Sequence, residues 1–243
     1  METPIFIKDS DNSPLRVDKL KFFDGQVGIT ICPGKYDDLA RSGPTHRDVK
    51  KDLTLAKDWG AKLVVTLLED HEIEYLRVQH MPEVIQELGL SWWRSPVPDG
   101  HALEIPGHPF LDPQYDHWTL PNALIRRFLK AGGKVLIHCR GGLGRTGTLV
   151  SRLLIEEGYE PREAIAKVRE ARRGSVENGQ QVDYLLDLPR RLAQKDRLYA
   201  ALAAIPDEAQ NQPIQTLFAD PLKFDLCQWR QLVKTLLPKD LIG

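Results

Sequence analysis

Cysteine is scarce in this chain. Its 243 residues include only Cys32, Cys139 and Cys227, far apart and odd in number. That excludes a disulfide framework, and the lack of any Cys-x-x-Cys pair excludes the common thiolate metal and redox sites. Any cysteine chemistry is therefore that of a single thiol. An excess of charge is lacking too: a net charge of −1 gives no basic surplus for nucleic acid or an anionic membrane. No apolar run approaches the roughly 18 residues of a membrane span, and METPIFIKDSDNSPL lacks the basic-then-apolar build of a secretory signal. The expectation is a soluble, cytoplasmic protein with no nucleic-acid or membrane partner.

What is present is an alternation of short apolar runs with amphipathic stretches, which predicts an α/β fold with a central, mostly parallel sheet flanked by helices. A helix is expected from Thr45 to Trp59, ended by Gly60. KLVVTLL (62–68) reads as a buried strand, EYLRVQHMPEVIQELG as helical with a break at Pro82, and LSWWRSPV (90–97) as a second strand. Leu120, Leu124 and Phe128 mark one face of a helix closed by Gly132 and Gly133, and KVLIHC (134–139) reads as the central strand. A helix follows to about Glu157, then a turn at Gly158 and Pro161, a helix to about Arg173, and another from about Gln180. The domain is expected over 1–194. Residues 195–243 read as an appended helical segment, with Cys227, Trp229, Leu232 and Leu236 on one face.

The stretch HCRGGLGRTG (138–147) feeds a strand through a glycine-rich turn into a helix start, which is an anion site by construction, because the first helical N–H groups are unpaired. Three readings compete. Gly142, Gly144 and Gly147 match a dinucleotide G-x-G-x-x-G, but two helices follow instead of a second strand with an acidic end. A nucleotide P-loop needs Lys before Ser/Thr, and Arg145-Thr146 does not supply it. The third uses Cys139 and Arg145. A thiolate ringed by backbone N–H groups beside an arginine and a helix start would have a lowered pKa and be a ready nucleophile. Arg145 could grip two phosphate oxygens while the loop amides face the rest, which together describe phosphoryl transfer to sulfur.

The same stretch resembles the His-Cys-x5-Arg-Ser/Thr signature loop of the protein tyrosine phosphatase superfamily. GITICPGKYDD, RDVKKDLTLAKDWGAKLVVTL, VPDG, the loop, and ARRGSVENGQQVDYL are similar, in that order over about 22–190, to the cyclin-dependent-kinase-associated group of dual-specificity phosphatases. The resemblance implies the cysteine-based phosphatase fold, a phosphocysteine intermediate, and no metal or cofactor. It makes Cys139 the nucleophile and Arg145 the phosphate clamp, with the loop of Arg140, Gly141, Gly142, Leu143 and Gly144 around the phosphate. Thr146 would hydrogen-bond the departing thiolate, although threonine at a helix start is also an ordinary cap. His138 orients the loop. Asp99 in VPDG stands where the group carries its general acid, with Asp112 and Asp116 as fallbacks. Gln181, with Gln180 in the alternative register, positions water.

The absence of a long phosphotyrosine-recognition loop favours a dual-specificity pocket. The expected function is therefore a phosphoprotein phosphatase acting on phosphotyrosine, and on phosphoserine or phosphothreonine as an extension; a kinase partner is implied by the resemblance alone. Two alternatives stay open. One is a non-protein substrate such as an inositol phosphate or nucleotide; Arg140 but not Leu143 keeps one of two cations found in a phosphoinositide phosphatase. The other is a catalytically silent phosphate-binding module. His101, His108 and His117 cluster with Asp112 and Asp116 but match no ligand spacing. Cys32 could pair with Cys139 under oxidation, or simply be packed.

Overall fold

KVLIH is apolar on both faces, as a strand between two helical layers must be, and four of its five residues are buried. In the computed structural model, which describes residues 6–40, 42–109, 111–112 and 117–193, it becomes the middle of the sheet. The chain opens with β1 (Asp18–Phe22), β2 (Gly25–Thr30), β3 (Tyr36–Asp37), β4 (Thr45–His46), α1 (Val49–Trp59) and β5 (Leu63–Thr66). Then come α2 (Asp70–Tyr75), α3 (Met81–Glu87), β6 (Ser91–Arg94), α4 (Thr119–Lys130) and β7 (Lys134–His138). Three helices end the described residues: α5 (Gly144–Ile155), α6 (Pro161–Ala171) and α7 (Gly179–Ala193).

The main sheet has the order β1-β2-β7-β5-β6, with only the β1–β2 pair antiparallel. Alternate side chains serve two cores, as the period of a strand requires. Val135 and Ile137 of β7, Val65 of β5 and Trp93 of β6 face the core under α4–α7; Leu136, Val64 and Trp92 face the one under α1 and α3. Helix α5 is buried along its whole length, so the loop that feeds it is clamped between a central strand and a central helix.

Several expected boundaries move. Thr45 does not open α1: it pairs in β4 with Asp37, and Asp48 is the cap, its carboxylate accepting the Lys51 N–H at 2.7 Å. Asp48→Ala is expected to lower unfolding free energy by about 1 kcal/mol, measured by urea denaturation, without changing activity. Pro82 is not the break. It lies at the second position of α3, where its missing N–H is not needed, and the interruption is the upstream segment Leu76–His80, where Arg77 has φ 57°. The β1–β2 hairpin was not anticipated, although Asp24-Gly25 between LKF and QVGIT carries its signal. The side chain of Leu120 and the expectations for 195–243 lie outside the described residues.

Candidate active site

The signature loop runs from Cys139, at the end of β7, to Arg145 in the first turn of α5. Its carbonyls point outward. That of Arg140 accepts the Cys32 N–H (3.3 Å), that of Gly141 accepts Arg172 Nη2 (3.1 Å), and that of Leu143 accepts the N–H groups of Gly147 (2.9 Å) and Val176 (3.2 Å). In a trans peptide the N–H opposes the carbonyl, so the amides of Gly141, Gly142 and Gly144 turn into the loop. The Gly142 N–H donates to Cys139 Sγ at 3.2 Å. Gly142 itself has φ 66°, and a Cβ there would stand 2.1 Å from the Thr30 carbonyl oxygen, so only glycine lets the backbone close around the sulfur. The result is a ring of donors over a buried thiol, a receptor for a tetrahedral oxyanion.

Arg145 is buried and rigidly held. Nη1 donates to Glu72 Oε2 (2.6 Å) and to the carbonyls of Val97 (2.9 Å) and Leu67 (3.2 Å), while Nη2 donates to Glu72 Oε1 (2.7 Å) and lies 3.1 Å from Asp99 Oδ1. Burial opposes its charge, but the Glu72 hydrogen bonds and the negative charges of Cys139 and Glu72 outweigh it and raise its pKa. Among the described residues its Nε–H is buried without a partner, as is the Thr146 hydroxyl. Two orphaned polar atoms on adjacent residues at the end of the signature loop mark a place built for a ligand.

Glu72 was missing from the sequence reading. Its only local signal is the spacing Glu69-x-x-Glu72, which reads as a capping box, and the box is indeed present; the carboxylate serves both the Glu69 N–H and Arg145. Asp37 was missed as well. It is buried and takes Lys35 Nζ (3.0 Å), Arg140 Nη2 (3.0 Å) and the Tyr75 hydroxyl (3.2 Å). Burial would raise its pKa, yet the hydrogen bonds and charges of Lys35 and Arg140 prevail and hold it below the ordinary value. The Arg140 side chain therefore braces the loop from outside and packs over the Tyr75 ring.

His138 sits behind the loop. The Trp92 indole donates to Thr66 Oγ1 (2.8 Å), and the same hydroxyl is hydrogen-bonded to His138 Nε2 at 2.7 Å. Burial, reinforced by Arg145 and partly offset by the Cys139 backbone, pushes the His138 pKa down to about 3. The ring is neutral at working pH and takes no part as an acid.

Asp99 lies at the mouth, its side chain 67% exposed, in a turn closed by the His101 N–H on the Pro98 carbonyl (3.2 Å). Asp112 points elsewhere, accepting the Gly107 N–H; Asp116 lies outside the described residues. Gln181 is buried beside the loop: a Cβ at Gly144 would meet its Nε2 at 2.9 Å, whereas Gln180 is exposed. The histidines go separate ways. His101 contacts the Asp99 carbonyl, His108 the Leu111 N–H, and His117 the Ser95 hydroxyl, with burial lowering the His117 pKa to about 4. Among the described residues no group of three ligating side chains could hold a metal, and no helix is long and apolar enough to cross a membrane. Cys32 is packed in the opposite core from Cys139, donates to the Pro33 carbonyl, and has its pKa raised by burial.

The model of the dual specificity phosphatase catalytic domain matches residues 68–191, half of the chain, including Glu72, Asp99, Cys139, Arg145 and Gln181 but not Asp37. The chain belongs to that family. It is 28% identical to mouse cyclin-dependent kinase inhibitor 3 over 170 residues, covering 69% of this chain and 73% of that one. To human protein tyrosine phosphatase type IVA 3 it is 43% identical over 148 residues, covering 60% and 75%. The fold is shared with kinase associated phosphatase, crystallised with its catalytic cysteine substituted by serine, at a TM-score of 0.65 and 23% identity over 75% of this chain and 98% of that one. The dual specificity phosphatase described here is thus a cysteine-based protein phosphatase, and the matches do not favour a non-protein substrate or silent binding.

Proposed function

We propose that Cys139 attacks the phosphorus of a phosphorylated protein side chain, forming an S–P bond as the ester P–O bond breaks. The observation that carries this assignment is the pairing of a buried thiol under inward amides with the unpartnered Nε–H of Arg145. A phosphoryl group over the sulfur would take that Nε–H and the Nη2–H now facing Asp99, in the bidentate fork that suits phosphate. Glu72 fixes the guanidinium so that no reorganisation is needed when charge develops on the transferring oxygens.

The leaving oxygen needs a proton, and Asp99, released from Nη2 by the phosphate, supplies it. In the second step water adds to phosphorus, Asp99 takes its proton, and the thiolate departs toward the Thr146 hydroxyl; Gln181 orients the water. His138 and Asp37 hold the two sides of the loop. Phosphotyrosine and phosphoserine or phosphothreonine are the side chains proposed as substrates. The names of the relatives make a phosphorylated kinase the first protein to try as substrate and partner.

Asp99→Asn tests the acid. On phenyl phosphate, whose leaving group is poor, kcat is expected to fall by about 10²-fold. The limb of the pH profile on which activity falls as pH rises should disappear, because that fall reports loss of the acid's proton. An unchanged high-pH limb would remove Asp99 from this role.

A further inference from the structure

The turn that carries Asp99 has bonds of its own only through His101, to the Pro98 and Asp99 carbonyls; Asp99 is mostly exposed, and Gly100 has φ 75° with nothing among the described residues packed beside it. It is held from α7. Asn178 Nδ2 donates to the Gly100 carbonyl at 2.7 Å, and Gln181 Nε2 donates to the His101 carbonyl at 3.2 Å. The other end of the Asn178 amide accepts the Gln181 N–H at 3.0 Å, which makes Asn178 the N-cap of α7. One side chain therefore joins the helix start and the acid turn. Farther along the same loop, buried Glu104 pairs with Arg152 of α5 (2.6 Å) and Arg191 of α7 (3.3 Å). The loop is fastened at two points to the helices that carry the clamp and the water-positioning glutamine.

We propose that Asn178 is a positioning residue for the acid: its amide holds the Asp99 turn over the signature loop and ties it to the helix that carries Gln181, so that both groups keep one geometry through the two steps. This rests on the assignment of Asp99 as acid. An ordinary N-cap needs only an acceptor; the donor half of the amide has no use in capping, yet it is aimed across 78 positions of sequence at the residue after the acid.

Asn178→Ser and Asn178→Asp separate the two halves, since serine and aspartate both cap helices well, but the aspartate carboxylate has no N–H to give the Gly100 carbonyl and the serine hydroxyl stops one bond short of the amide nitrogen. Both variants are expected to melt as the wild type does. On phenyl phosphate kcat should fall about tenfold or more, while on 2,4-dinitrophenyl phosphate, whose leaving group departs without a proton, it should fall less than about twofold. Asp99→Asn, run beside them, should show the same bias more strongly. Equal losses on both substrates, no loss, or a loss confined to the charged Asn178→Asp variant would overturn the proposal while leaving Asp99 in place. Absence of the bias in Asp99→Asn would instead overturn the acid assignment beneath it.

Discussion

Cys139→Ser is expected to leave on the order of 10⁻⁴ or less of wild-type turnover, with or without EDTA, and to retain binding of phosphorylated substrate. A hydroxyl in this position is held by the same loop, but serine is a poor nucleophile unless a base takes its proton. The loop offers none: burial pushes the His138 pKa down to about 3, which makes the ring a poor base, and its Nε2 is engaged with Thr66. A loss of 10⁴ corresponds to about 5.4 kcal/mol of barrier, larger than any single hydrogen bond in the site could supply. Phosphate release from an aryl phosphate by the purified variant checks it. Turnover within about tenfold of wild type would mean that sulfur is not the nucleophile.

Arg145→Lys should cost kcat about 10³-fold, with a smaller change in KM. Charge is kept in this variant but geometry is not. The guanidinium fills Glu72 with two parallel hydrogen bonds, reaches two carbonyls, and keeps a buried Nε–H without a partner among the described residues. An ammonium at the end of a flexible chain can satisfy Glu72 or the phosphate, and loses the fork that meets the transferring oxygens as charge spreads over them. Because KM reports mainly ground-state interactions, the split between kcat and KM identifies the clamp as a transition-state device. Stopped-flow kinetics with a chemically melted control distinguishes this from unfolding: a variant that melts normally and turns over normally would contradict the assignment.

The part of the molecule legible in the sequence was the part whose reasons are local. An apolar run, a glycine turn and a helix pattern define β7, the signature loop and α5 within one continuous stretch, and the resemblance of that stretch carried the chemistry with it. Gly142 has to be glycine because its own φ and the nearby Thr30 carbonyl leave no room for a Cβ. Hidden from the sequence were the groups that act across it. Glu72 reaches Arg145 over 73 positions, and Asp37 reaches Arg140 over 103. A carboxylate at a helix start looks the same whether it caps a turn or fixes a buried arginine, and Glu72 does both. The register of Gln180 and Gln181 was open for a related reason: two adjacent glutamines differ only in which side of α7 meets the core, and packing on the signature loop selects Gln181. Thr45 misled because threonine opens helices and also pairs in strands, and the choice fell to Asp48, whose carboxylate meets the Lys51 N–H.

The central claim is that a covalent phosphocysteine forms at residue 139. The most direct test is rapid acid quenching of the enzyme during turnover of an aryl phosphate, followed by mass spectrometry of the peptide containing residues 134–145. One phosphoryl group is expected on Cys139 sulfur in the wild type, more of it in a Gln181→Ala variant whose second step is slowed, and none in Cys139→Ser. Phosphate on His138, or steady turnover with no covalent phosphate on this peptide at any quench time, would contradict it.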